Sequence, residues 1–132
     1  MKLADVVFLE VEDVLALHED ALSLHGGMAG VRDPGLLESA VMAPRSGYYG
    51  SLAELAAVYL HGLAKNHPFL DGNKRAAMAA AGAFLGANGF PLRVLDADRW
   101  EEIVVGIASG ALDREQLALL FAAEIGDAGA LE

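Results

Sequence analysis

Cysteine is absent from the chain, and the absence removes several chemistries at once. There is no disulfide framework, no thiol nucleophile and no thiolate metal site, a composition that fits a reducing compartment. Positive charge is scarce as well. Nine Lys and Arg stand against 19 Asp and Glu, giving a net charge of −10, so the overall field repels nucleic acid and anionic membranes. Long apolar runs are also few. The one uncharged stretch, Ala76 to Leu92, falls short of the roughly 20 residues a bilayer needs and carries Asn88, Gly89 and Pro91 near its end, so a buried helix is expected there. The start, "MKLADVVFLEVEDV", reaches Asp5, Glu10 and Glu12 before an apolar run of signal-peptide length develops. These absences point to the cytoplasm, with no direct nucleic-acid or membrane partner.

What is present is mostly helical pattern. At 132 residues, 55 % hydrophobic and 21 % charged, the chain suits one domain, with a core over about 6–125 and a frayed tail at 126–132. "VVFL" at Val6 to Leu9 reads as a short strand or a packed lead-in segment. Helical spacing of Val14, Leu15, Leu17, Ala21, Leu22 and Leu24 predicts a first helix over about 12–24, stopped by Gly26 and Gly27. Asp33 and Pro34 open a second that ends before Pro44. "PRSGYYGS" reads as an exposed loop or small flap. Ser51 with Glu54 forms a capping box for a third helix, to about Asn66. A fourth, Ala-rich helix runs from about Asn73 to Ala87 and closes at Asn88 and Gly89. Asp96 caps a fifth through about Ser109, and Asp113 with Gln116 boxes the last, which ends at Gly126. The expected fold is all-α, a compact bundle of about six helices around the Ala-rich one. Gly82 and Gly86 in "GAFLG" are expected to let a neighbouring helix come close.

One position runs against simple helix electrostatics. Lys74 and Arg75 open the fourth helix, where unpaired N–H groups already carry partial positive charge. Each costs about a few tenths of a kcal/mol there unless an anion offsets it. A phosphate would do so, gripped bidentately by Arg75 and approached closely by the backbone at Gly72. No Walker-type sequence is present. His67, expected to be extended because Pro68 follows, is a candidate proton acceptor for an incoming hydroxyl. The Asp71 carboxylate suits a magnesium ion bridging phosphate oxygens, and Asn73 suits orienting either the loop or a phosphate. Phe69 and Leu70 are expected to anchor the loop in the core. Together these are the parts for phosphoryl or nucleotidyl transfer; the same residues also make an ordinary solvated turn and helix start.

"HPFLDGNKR", His67 to Arg75, resembles the signature loop of the Fic/death-on-curing superfamily: His-Pro-Phe, any residue, Asp or Glu, Gly-Asn, Gly or Lys, Arg. It agrees at every specified position. The similarity continues upstream in "VLALHEDALSLHGGMAGVRDPGLLESAVMAP" and downstream in "FLGANGF", covering about Val6 to Ile125. The resemblance implies His67 as catalytic base, Asp71 acting with magnesium, Gly72 and Asn73 shaping the anion site, and Lys74 and Arg75 contacting the phosphates of ATP. Adenylyltransferases of the superfamily usually have glycine where Lys74 stands. Death-on-curing toxins have lysine, and for them the resemblance implies transfer of the γ-phosphate of ATP to a threonine of elongation factor Tu, arresting translation. Pro68 and Gly72 lie nearer the wider superfamily pattern, and Ala76 replaces a common threonine. No inhibitory sequence (Ser or Thr, three residues, Glu, then Gly or Asn) occurs, so restraint is expected from an antitoxin whose C-terminal segment folds into a hydrophobic groove.

Other candidates read more plainly. His18 and His25 lie seven apart on the first helix but lack a zinc-protease pattern, because Leu22 stands at the required second histidine, so packing or solvation is expected. His61 reads as a buried core histidine. Lys65 and Asn66 read as the end of the third helix. Tyr48 and Tyr49 suit either a target-docking flap or half-buried packing. Trp100, Ile103, Val104 and Ile107 read as the core face of the fifth helix.

Overall fold

A computed structural model describes residues 1–93, 97–126 and 129–132. Its helices are α1 (Val11–His25), α2 (Pro34–Met42), α3 (Leu52–Asn66), α4 (Asn73–Ala87), α5 (Ala97–Ser109) and α6 (Arg114–Ile125). Short 3-10 turns occupy Leu3–Asp5 and Ala43–Ser46, so the turn-rich stretch after α2 begins as a helical extension through Pro44. The fold is all-α with six helices, as expected. Among the described residues β-pairing is limited to two isolated antiparallel bridges, Val31 with Phe69 and Ser51 with Ala130.

Most ends form as their residues dictate. Asp33 Oδ1 accepts from the Leu36 N–H at 3.0 Å, with Pro34 opening α2. Asp113 and Gln116 close a reciprocal box at α6. At α3 only half the expected box forms: Ser51 accepts from the Glu54 N–H, but the Glu54 carboxylate reaches back to the Gly50 N–H. The Asp96 cap expected for α5 lies outside the described residues.

The hub is α3 rather than the Ala-rich α4. It packs against α2, α4, α5 and α6, and buries Leu52, Leu55, Tyr59, Leu60 and Leu63 completely. α4 packs against α1, α3 and α5. Its smaller side chains fill only one side, and Gly82 and Gly86 face open space instead of a neighbouring helix. The close approach occurs at Gly62, where an added Cβ would sit 3.1 Å from the Ala40 Cβ of α2. Trp100 stacks on Phe121 with ring centroids 5.2 Å apart, and Ile103, Val104 and Ile107 are buried, so that face of α5 is core.

The lead-in segment is not a strand. Its backbone is satisfied by side chains: Asn88 exchanges two hydrogen bonds with Val7, and the Leu9 N–H donates to the Tyr59 hydroxyl at 2.9 Å. Of the tail expected to fray, 126–132, the described residues 130–132 are bonded to the body of the fold. The Leu131 N–H donates to Gly50 O, the Glu132 N–H to Met1 O, and the Met1 ammonium to Ala130 O. Those backbone bonds hold a tail whose composition alone suggests disorder.

Burial pushes the Tyr59 hydroxyl pKa up to about 12 from 10.0. Because the folded value is the higher, this contribution to stability is whole below pH 10 and is lost as the pH rises toward 12. Tyr59→Phe should remove that alkaline loss. It should also cost about 1–3 kcal/mol at neutral pH, because the buried Leu9 N–H loses its acceptor. Urea unfolding of both proteins at pH 7 and across the alkaline range measures both effects.

Candidate active site

The site is the six-residue connection from α3 to α4, residues 67–72, with the first turn of α4. Pro68 and Phe69 are buried, whereas His67, Asp71, Lys74 and Arg75 are exposed. Leu70 is 52 % exposed, so Phe69 alone of the expected apolar pair anchors the loop. Leu70 turns outward because it sits opposite Gly30, whose carbonyl accepts the Leu70 N–H at 3.0 Å.

His67 is not extended. It takes φ 48°, ψ 56°, the left-handed region, as the residue that ends α3. Proline disfavours a helical conformation before it, but the left-handed turn that terminates a helix prevails here. A non-glycine residue so placed costs on the order of 1–3 kcal/mol and persists only where its surroundings hold it. Arg32 holds it, donating from Nε to His67 O at 2.7 Å and from Nη2 to Asn66 O at 2.8 Å. The Arg32 and Asp33 N–H groups both donate to Pro68 O.

Asn73 clamps the loop from the other side. Its Oδ1 accepts from the Phe69 N–H at 2.9 Å and its Nδ2 donates to Phe69 O at 3.0 Å, so both ends of its amide orient the loop. His18, 5 % exposed, stacks on Phe69 with centroids 3.7 Å apart and planes 4° from parallel. Its Nε2 lies 2.7 Å from Asp71 O. A carbonyl only accepts, so the imidazole proton sits on Nε2. Packing was the right expectation for His18, but what it packs is the loop; His25 is exposed.

Asp71 Oδ2 accepts from the Met28 N–H at 3.1 Å and Oδ1 from the Gly72 N–H at 2.8 Å. Those two bonds, with a smaller pull from Arg75, hold its carboxyl below the usual range. Gly27 makes the approach possible, since an added Cβ would lie 2.9 Å from Asp71 Oδ2. Gly72, at φ 76°, turns the chain into α4, and no side chain caps that helix. Ala76 N–H donates to Gly72 O, and among the described residues the amides of Asn73, Lys74 and Arg75 take no partner, the arrangement by which helix starts can hold an anion. Lys74 and Arg75 make no ion pair among the described residues.

Residues 8–85 match the model of the Fic/DOC family. Over 117 residues the chain is 41 % identical to the Toxin Doc of Mycolicibacterium smegmatis (strain ATCC 700084 / mc(2)155), a match covering 84 % of this chain and 88 % of the relative. Over 111 residues it is 35 % identical to the Protein kinase doc of Escherichia phage P1, covering 81 % and 86 % respectively. The chain belongs to the Fic/DOC family.

Within this Fic/DOC loop the residues fit magnesium in one way. Among the described residues no cluster of three or more His, Asp or Glu could cage a metal. Asp71 is ionised and exposed, and each of its oxygens keeps a lone pair beyond its N–H partner. One such carboxylate suits an ion that keeps most of its waters and takes the rest of its ligands from phosphate. The Fic/DOC motif also hides its supports. Arg32 and His18 lie 35 and 53 residues from their loop partners. Neither belongs to the nine-residue signature, and only the position of Arg32 just before the α2 cap hints at a role.

The remaining candidates separate. His61 is half-buried; burial, then the nearby Arg114 and Lys65 cations, lower its pKa, so it is neutral at pH 7. Tyr48 is 88 % exposed, while Tyr49 packs on the core beneath the Arg114 guanidinium, 5.2 Å from the ring centroid. No helix among the described residues is long and apolar enough to cross a membrane.

The Asp71 bonds set an acid response. Because its folded pKa is the lower, the stability it contributes is present above the ordinary value of 3.8 and is lost as the pH falls through the depressed one. Asp71→Asn should flatten that part of the acid limb. The protection of the Met28 and Gly72 amides, relative to free-peptide exchange, should then no longer fall as the pH drops below the ordinary value of 3.8.

Proposed function

We propose that this chain is the toxin of a toxin–antitoxin pair, a protein kinase that moves the γ-phosphate of ATP to a Ser or Thr hydroxyl of a translation factor, elongation factor Tu. The observation that carries this reading is the convergence, in one braced loop, of an exposed imidazole, an ionised carboxylate and a helix start whose two cations make no ion pair among the described residues. The two relatives named Toxin Doc and Protein kinase doc support the same reading.

In this mechanism His67 takes the proton of the acceptor hydroxyl as its oxygen bonds to the γ-phosphorus. The bond from that phosphorus to the bridging oxygen breaks, and ADP leaves with the electron pair. The amides at the start of α4 hold phosphate oxygens, with Lys74 and Arg75 closing on them from solvent. Magnesium, held by Asp71, would neutralise charge between phosphate groups. Asn73 and Gly72 keep the loop in the shape that presents these groups together. Lys74, where adenylyltransferases carry glycine, narrows the room for the inner phosphates and favours exposure of the terminal one.

The antitoxin in this reading contributes a C-terminal segment that folds as a helix in an apolar groove. A mostly apolar cavity of about 390 Å³ between α1 and α4, lined by Val7, Phe8, Leu9, Asp13, Ala16, Leu17, Ala83 and Ala87, is the place proposed for it. The open Gly82 and Gly86 face of α4 would admit it closely.

The test incubates the protein and His67→Ala with elongation factor Tu, magnesium, and ATP labelled at the α- or the γ-phosphate. Transfer of γ label is expected, falling at least about a hundredfold in His67→Ala, as for loss of a general base. Transfer of α label instead would make the chain an adenylyltransferase and overturn the role given to Lys74. Transfer of neither, with toxicity surviving His67→Ala, would point to a non-catalytic protein acting through its partner.

A further inference from the structure

Arg32 does something that its charge alone does not explain. Its Nε and Nη2 donate to His67 O and Asn66 O, which are the oxygens of the two peptide planes flanking the His67 Cα. The relative orientation of those planes is what φ and ψ of His67 describe. A planar guanidinium donating to both oxygens holds them at a short separation, and so restricts φ and ψ of His67 jointly. His67 needs such a constraint. It holds a positive φ without being glycine, and it precedes a proline that favours extended backbone. Relaxation toward ψ of about 120–160° would turn the Cα–Cβ bond, and the imidazole with it, relative to the rest of the loop.

We infer that Arg32 is a positioning residue for the transfer reaction, setting the direction of the His67 imidazole by clamping both peptide planes around it. The inference rests on the reading of His67 as the base. Arg32 lies outside the signature loop, and its guanidinium is engaged with main-chain carbonyls rather than offered to a phosphate. Main-chain bonds from Arg32 and Asp33 to Pro68 O remain when the side chain is removed, so the loop keeps its register in a variant.

The test compares Arg32→Ala, Arg32→Lys and the unaltered chain, well below all unfolding midpoints, with kcat and KM for ATP measured separately. Arg32→Lys keeps a cation near the carboxyl end of α3, and should recover most of any lost thermal stability. It cannot span two planes rigidly, so kcat should stay down about ten- to a hundredfold in both variants, with KM for ATP within about twofold. The Cα and Cβ resonances of His67, which report φ and ψ, should shift in both. An unaltered kcat in either variant, or a loss explained entirely by the unfolded fraction, would overturn the inference. If the unaltered chain transfers neither label, the kinase reading fails and the resonances decide alone. Unchanged His67 signals in Arg32→Ala would then refute the clamp, whereas shifted ones sustain it.

Discussion

The backbone of residues 67–72 has no ladder of its own beyond a single bridge, so its polar groups must be satisfied from elsewhere, and the geometry of the site follows from how that is done. His67 O takes Arg32, Pro68 O takes two main-chain N–H groups, and Phe69 exchanges both of its groups with Asn73. Leu70 donates to Gly30, and Asp71 O accepts from His18. Nearly all of these partners lie in α1, in the connection from α1 to α2, or in the first turn of α4. The α1–α2 connection therefore works as a frame. It lacks regular structure, yet removing the Arg32, Gly30 or His18 contact would leave a backbone group of the loop without that partner.

The frame explains why certain residues cannot vary freely. Gly27 must be small because Asp71 Oδ2 occupies the space a Cβ would fill. Gly72 must accept φ 76° for the chain to turn into α4. Phe69 is the deep anchor. It is 1 % exposed and sandwiched against His18, so the loop's one large apolar side chain is tied to the same histidine that holds the Asp71 carbonyl. Packing and hydrogen bonding here are one device acting on two sides of the same ring.

Much of this was legible in the sequence, and what was not has a common cause. Capping residues act within a few positions of themselves, so Asp33, Asp113 with Gln116, and the limits of α4 followed from local chemistry. The start of α4 was legible for the same reason, and Lys74 and Arg75 stand against its local dipole. Contacts across long separations left no such mark. The Arg32 clamp, the His18 stack and the tail bonded to Met1 and Gly50 are products of the assembled fold. The extended His67 expected from Pro68 failed because a local preference met a tertiary constraint. The central place given to α4 failed similarly: absence of charge marks burial, but the larger side chains of α3 decide which helix is surrounded.

Exposed charge and bonded backbone are kept apart at the site. The groups that define direction, the peptide planes around His67 and the Asp71 carboxylate, are bonded to the frame. The groups that supply charge, Lys74 and Arg75, are exposed, free of ion pairs among the described residues, and attached to a helix whose start is uncapped. In a chain of net charge −10, the adjacent Lys74 and Arg75 set a local positive charge against a repulsive overall field. Two cations at a helix start are unfavourable by a few tenths of a kcal/mol each while empty, and that small cost reverses sign when a phosphate arrives. On the proposed function, a bonded backbone with exposed charge suits transfer: orientation is settled before the substrate binds, and the electrostatic grip forms around it.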